Sequence, residues 1–195
     1  MIRIRFGGAA IVLLAAGAIA EAATAQEFSI RWLSPSAFPQ VPQVIRRALE
    51  SRGCVIPQFR FPHNPNRVHN VIRGSFARRG QVDWAVLCSR QGRSSIMIFW
   101  GGPVRCPPML FHVAVPDPQR PGSVRIVQSA ETRGTLQIIR VGRDYILERN
   151  RRYGPIDPLP PVIDHHGIDI WNPGSTASVV SYCYKGRWLR LMGAD

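Results

Sequence analysis

Two apolar runs separated by a short polar turn constrain the fold of this chain most strongly. Residues 84–88 and 96–100 are rich in β-branched and aromatic side chains, and Gln91-Gly92-Arg93 lies between them. This order predicts a β-hairpin formed by strands over about 82–89 and 94–100. Because both runs are apolar on two faces, we expect other layers of the protein to cover the hairpin on both sides.

One helix is predicted ahead of this hairpin. Apolar residues recur at helical spacing from Val41 to Leu49, and this apolar face includes Val44. Pro42 suits the first turn of a helix, and Gly53 is a typical residue just past its end. The pattern therefore predicts a helix over about 42–52.

Further short strands follow. Their predicted ranges are 69–76, 110–115, 123–128, 135–142, 179–184 and 187–192, and 143–150 is predicted to be a short helix. Proline-rich residues 57–66 and the stretch 151–176, rich in proline, glycine and aspartate, are predicted to be irregular loops. The order favours an α+β domain with one N-terminal helix packed on a mainly antiparallel multi-stranded sheet. An all-β sandwich or barrel is the alternative.

The first 25 residues have the order of a secretory signal peptide. Two early arginines precede an uncharged stretch over residues 6–20, and an A-x-A site ends at Ala25. The stretch is shorter than the roughly 20 apolar residues of a spanning helix, and no later run reaches that length. We expect cleavage after Ala25, a single globular domain over 26–195, no transmembrane segment in the mature chain, and a periplasmic or secreted location. A retained N-terminal anchor is the alternative.

Four cysteines support this location. They are Cys54, Cys88, Cys106 and Cys183. An even number in an exported chain indicates two disulfides, for which three pairings exist. The expected elements favour Cys54–Cys88, between a helix end and a strand, and Cys106–Cys183, between a proline-rich loop and the last hairpin. Zinc binding through cysteine is not supported, because no C-x-x-C or C-x-x-H spacing occurs.

The charge is strongly positive, at +13, and Lys185 is the only lysine. Two interpretations stay open: an arginine surface for an anionic partner, or a coding sequence rich in arginine codons. The arginines are scattered and cluster only as doublets, so we expect no nucleic-acid partner.

The densest polar segment runs from Asp164 to Asp169. Asp164, His165, His166 and Asp169 supply the ligand types of a zinc site or a general acid–base pair. Neighbouring side chains of an extended segment point in opposite directions, so a further ligand such as His112 or His63 would be needed. The alternative is a loop whose aspartates form turn hydrogen bonds.

Other candidate residues are few. Trp171, expected in an exposed loop, and the doublet Arg78-Arg79 are candidate ligand-binding residues. Asp83 is a candidate catalytic carboxylate, or an aspartate at a strand end that caps a turn. The sequence contains no G-x-S-x-G, H-E-x-x-H, P-loop or G-x-G-x-x-G motif.

The sequence therefore predicts an exported, disulfide-stabilised binding or interaction module of the cell envelope, non-enzymatic and without a cofactor, and an anionic partner is one of the two open interpretations of its charge. A metal-assisted hydrolase that uses zinc at residues 164–169 is the alternative.

Overall fold

A computed structural model of the protein describes residues 29–60, 68–116, 118–120, 124–133, 136–157, 163–172 and 177–193. The elements in chain order are β1 (Ile30–Leu33), α1 (Gln43–Glu50), β2 (Ile56–Phe59), β3 (Val71–Gly74), β4 (Asp83–Arg90), β5 (Arg93–Phe99), β6 (Phe111–Pro116), β7 (Val124–Ser129), β8 (Thr132–Arg133), β9 (Gln137–Val141), α2 (Arg143–Tyr153), β10 (Gly167–Trp171), β11 (Ser178–Tyr184) and β12 (Arg187–Met192).

Antiparallel sheets dominate the architecture. Two of them have four strands, in the orders β3-β4-β5-β8 and β12-β11-β10-β9, and the pairs β1-β2 and β6-β7 form two smaller sheets. Two-residue turns connect the central hairpins. Gln91-Gly92 and Lys185-Gly186 all have positive φ, between 48° and 77°. Such turns match the twist of the strands and fix the register, with Arg90 opposite Arg93 and Tyr184 opposite Arg187.

Three large buried clusters follow from the alternation of side chains along the strands. The first joins Ile45 and Leu49 of α1 to Val86 of β4. The second joins residues of both four-stranded sheets, such as Leu87 and Ile96 with Ile138 and Ile168. The third joins Ile146 of α2 to Val180 and Leu191. The hairpin β4–β5 therefore contributes to cores on both of its faces, as its two-faced apolar pattern predicts.

Asn70 joins the two four-stranded sheets. Its side-chain oxygen accepts a hydrogen bond from the Ile138 N–H at 2.8 Å, and its amide nitrogen donates to the Pro57 carbonyl at 2.6 Å. Asn70 is fully buried and has a φ of 64°, a conformation that asparagine tolerates better than most residues. The side chain of Asn70 thus links the segment before β3 to β9 and to β2.

The coarse fold expectation is confirmed: the chain is broadly α+β or β-rich, with antiparallel sheets, two helices in the described ranges and no closed barrel among their sheets. Two loop predictions are wrong. Residues 56–59 form β2, which pairs with β1, and residues 167–171 form β10 at the centre of a sheet. No helix of the described residues is long and apolar enough to cross a membrane. The expected signal peptide lies outside the described residues.

Candidate functional site

Two disulfides tie distant segments together. Cys54–Cys88 links the segment after α1 to β4, and Cys106–Cys183 links the segment between β5 and β6 to β11. These are the pairs that the sequence favours, and the described residues include no free cysteine. The second disulfide holds residues that form one side of the groove described below.

Asp83 is a buried carboxylate that organises two loops. Its Oδ2 accepts hydrogen bonds from the backbone N–H groups of Phe76 and Ala77, at 2.8 and 3.2 Å. Its Oδ1 accepts from Gln81 Nε2 at 2.7 Å and from the Gly101 N–H at 2.9 Å. All four contacts are to donors, so Asp83 has the turn-capping arrangement rather than that of an exposed catalytic acid.

Gly101 and Gly102 pack closely against the loop that Asp83 organises. A Cβ on Gly101 would overlap the carbonyl oxygen of Val82, and a Cβ on Gly102 would overlap Oε1 of Gln81. Because the first overlap is with backbone, only glycine fits at position 101 without a shift of the chain. The loop before β4 and the chain after β5 are thereby held in contact.

His165 points into the protein interior. Its Nε2 lies 2.7 Å from the carbonyl oxygen of Cys183, and its Nδ1 lies 2.7 Å from Oδ1 of Asp164 and 3.0 Å from the Tyr182 hydroxyl. The imidazole also stacks on the Tyr182 ring, whose hydroxyl has its pKa raised to about 12, chiefly by burial. Both ring nitrogens have hydrogen-bond partners, so in this arrangement His165 has no free lone pair for a metal ion.

His166 points toward a different part of the fold. The ring Nδ1 of His166 accepts a hydrogen bond from the Ser75 N–H at 3.0 Å, and the backbone N–H of His166 donates to the Ser75 carbonyl at 2.8 Å. Burial lowers the pKa of His166, and its electrostatic interactions with Arg140 and His165 lower it further. The neutral ring, with its proton on Nε2, therefore fits this site.

Asp169 lies in β10 and is buried beneath α2. Its Oδ2 accepts a hydrogen bond from the Tyr145 hydroxyl at 2.8 Å. Burial and this bond raise the pKa of Tyr145 to about 12. Within the described residues, Oδ1 of Asp169 and Oγ of Ser178 are buried and have no hydrogen-bond partner, and both lie next to Gly193. The arrangement attaches α2 to its sheet.

The structure does not assemble a metal centre from these residues. In the ranges that the structure describes, no group of three or more histidine, cysteine, aspartate or glutamate residues is placed to hold a metal ion. His112 belongs to β6, opposite Gln128, and His63 lies outside those ranges. A zinc site at residues 164–169 stays a prediction that this geometry does not favour.

The predicted ligand-binding residues are placed apart from the clefts described next. Trp171 is the last residue of β10 and is half-buried, so its expected position in an exposed loop is wrong. Arg78 and Arg79 are exposed in the turn between β3 and β4, and their role as ligand-binding residues stays a prediction.

An apolar cleft of about 810 Å³ lies between α1 and the ends of β4 and β5. Val44 of α1 is 74% exposed at its edge, although the sequence placed this residue on the buried face of the helix. Val82, just before β4, is 45% exposed and also lines the cleft, together with Trp84 and Phe99. Large apolar side chains are thus accessible in a concave surface.

A second cleft of about 570 Å³ adjoins the first. It runs along β5, between residues 95–98 and the segment 105–109, with Ala130 at its edge. The two clefts share Ile98, Trp100 and Arg105. Trp100 stacks on Trp188, whose Nε1 donates to the Pro107 carbonyl at 2.9 Å, and this contact positions the proline segment. We call the two clefts together the Trp100 groove.

The groove has few polar groups. Among the described residues that line the two clefts, Arg105 is the one charged side chain. Concave, mostly apolar surfaces with a small number of polar groups are the usual form of binding sites. The sequence did not predict this groove. Val44, which the sequence places on the apolar face of α1, is exposed and lines this groove instead of the core.

No protein-family model, curated protein or solved structure matches this chain.

Proposed function

We propose that this chain is an exported, disulfide-stabilised binding module that holds an acidic, partly apolar segment of another protein in the Trp100 groove. The observation that carries the proposal is the pair of joined apolar clefts with Arg105 between them. Export is supported by the signal-peptide pattern and by the two disulfides, which persist in oxidising compartments. The site of action is then the periplasm, the cell envelope or the medium.

In this proposal the N-terminal helix α1 packs on the sheet and forms one wall of the groove. Apolar side chains of the partner would cover Val44, Val82 and Trp84. This burial of apolar surface would supply most of the affinity. Carboxylates of the partner would pair with Arg105 and be attracted by the net charge of +13.

The module is proposed to be non-enzymatic and to need no cofactor. Among the described residues that line the two clefts, Ser95 is the one with a hydroxyl side chain. None of these lining residues is a histidine, aspartate or glutamate that could activate it. A serine nucleophile requires such a base within hydrogen-bond reach. The chemistry of the groove therefore suits recognition.

A titration with a synthetic peptide tests the proposal. The probe is a capped hexapeptide of alternating glutamate and valine, and the readout is the tryptophan fluorescence of the protein, to which Trp84 and Trp100 of the groove contribute. We expect saturable binding that Val44→Asp weakens at least tenfold, because this variant loses apolar contact and repels the peptide. Val68→Asp is the matched control, since Val68 is 54% exposed but is not part of the groove, and it should change Kd less than twofold.

Two contrary results, one from titration and one from thermal unfolding, would change this assignment. Equal binding of polyglutamate and the hexapeptide, lost in high salt, would indicate a polyanion-binding surface instead. A zinc-specific rise in Tm that His166→Ala abolishes would support the metal-assisted hydrolase.

A further inference from the structure

The outer edge of β5 is only partly paired. Strand β8 pairs with β5 at Arg93 and Ser94 and extends no further. In the described parts of the chain, no strand pairs with residues 95–99 on the side away from β4. An open strand edge presents backbone donors and acceptors that another chain can pair with.

The register of the β4–β5 hairpin identifies the free groups. Arg90 and Arg93 flank a two-residue turn and form a hydrogen-bonded pair. From this pair onward, hydrogen-bonded and non-hydrogen-bonded residue pairs alternate along β4 and β5. Ile96 and Ile98 fall in non-bonded pairs with Leu87 and Ala85. Their N–H and C=O groups therefore point away from β4, toward the second cleft of the groove.

This cleft runs beside that edge. Its lining includes the four consecutive β5 residues 95–98 on one side and the segment 105–109 on the other. Cys106 is fixed by its disulfide to β11, and Pro107 accepts a hydrogen bond from Trp188, so the far side of the cleft is held apart from β5. A volume of about 570 Å³ lies within the range of roughly 300–1,000 Å³ that ligand pockets have.

We infer that the partner segment binds by strand addition, as an extended chain that pairs with Ile96 and Ile98 along the open edge of β5. This inference rests on the proposed function, since it specifies how the Trp100 groove holds its partner. Main-chain hydrogen bonds align the segment, and its alternate side chains enter the apolar cleft.

Charge determines which extended chain fits. Arg90 and Arg93 flank the turn at the start of β5, and Arg105 lines the cleft beside residues 95–98. The side chains of Arg90 and Arg93 are 59% and 54% exposed. Glu131 approaches these two only at 4.0 and 3.9 Å. A second copy of this chain, with a charge of +13, would be repelled, whereas a segment with carboxylates is attracted.

N-methylated versions of the glutamate–valine hexapeptide test the inference. A methyl group on the peptide nitrogen removes one donor and blocks pairing on that side. In a strand, the N–H groups of alternate residues point to the same side. Methylation at one set of alternate residues should therefore weaken binding at least tenfold, and methylation at the other set less than threefold. Binding should also slow hydrogen exchange of the Ile96 and Ile98 amides.

A variant of the protein gives a second measurement. Ile98→Pro removes the outward N–H without removing a bond to β4, and proline is tolerated at such edge positions. It should weaken peptide binding at least tenfold, while Ile98→Val, which keeps the N–H, should change Kd less than twofold. If Ile98→Pro does not fold, the methylated peptides decide the question alone.

The outcomes separate the two proposals. Binding that Val44→Asp weakens but methylation does not change would overturn strand addition and leave the groove as the site. Absence of binding by the unmodified hexapeptide would overturn both. A dimer in sedimentation equilibrium whose formation protects the Ile96 and Ile98 amides would make a second copy the occupant and overturn the assignment to an acidic partner.

Discussion

Replacement of Asp83 by asparagine should destabilise this protein strongly. The carboxylate is fully buried and accepts four hydrogen bonds, from Phe76, Ala77, Gln81 and Gly101. An asparagine has one oxygen in place of two, so in its best orientation two of these donors face its amide nitrogen. A buried donor without an acceptor costs about 1–3 kcal/mol, which gives a loss of about 2–6 kcal/mol.

This loss is large beside the roughly 5–15 kcal/mol that stabilises a typical domain. For a chain of this size, 1 kcal/mol shifts Tm by about 2–4 °C, so a loss near 4 kcal/mol should lower Tm by about 8–16 °C. Urea unfolding at pH 7, followed by tryptophan fluorescence, measures the free energy directly. Asp144→Asn is the control, because that side chain is 99% exposed and should cost less than about 1 kcal/mol. An Asp83→Asn variant within 0.5 kcal/mol of the unmodified protein, on the order of an ordinary surface substitution, would refute the assigned hydrogen bonds.

The remaining predictions concern pH and the second disulfide. The pKa of His166 is lower in the folded protein than its ordinary value of 6.5, so the unfolded chain binds more protons just below that pH, and stability should fall as the pH drops below about 6.5. His166→Asn keeps an acceptor for the Ser75 N–H but does not titrate. Between pH 7 and pH 5 the free energy of unfolding of this variant should therefore change less than that of the unmodified protein. An equal change in both proteins would contradict the lowered pKa of His166. Replacement of Cys106 and Cys183 by alanine removes the disulfide that closes a loop of 77 residues, which should cost about 4 kcal/mol in urea unfolding and weaken hexapeptide binding. Unchanged binding by this folded double variant would show that the disulfide does not shape the groove.

Local pattern predicted most of the secondary structure. The hairpins at Gln91-Gly92 and Lys185-Gly186 were predictable because turn-forming residues lie between two apolar runs at each of them. β2 and β10 were missed because the sequence signals there favour a loop. Pro57 lies inside β2, and Asp169 is a buried carboxylate within β10. Each polar or strand-breaking residue is accommodated by a distant partner, such as Tyr145 for Asp169, which local sequence does not reveal.

The candidate site could not be predicted from the sequence for a related reason. The Trp100 groove is formed by residues from α1, β4, β5 and the segment 101–109, which meet only in the folded chain. The histidines of residues 164–169 resemble a metal site in sequence, but His165 and His166 bond to different partners, Cys183 and Ser75. Residue type alone does not show which way each side chain points.

The most direct test of the central claim is to map amide chemical shifts of the oxidised protein as the glutamate–valine hexapeptide is added. Binding in the Trp100 groove predicts shifts concentrated at Val44, Val82, Ile98, Gly101 and Arg105. Shifts spread over exposed arginines away from the groove, or none at saturating peptide, would contradict the account.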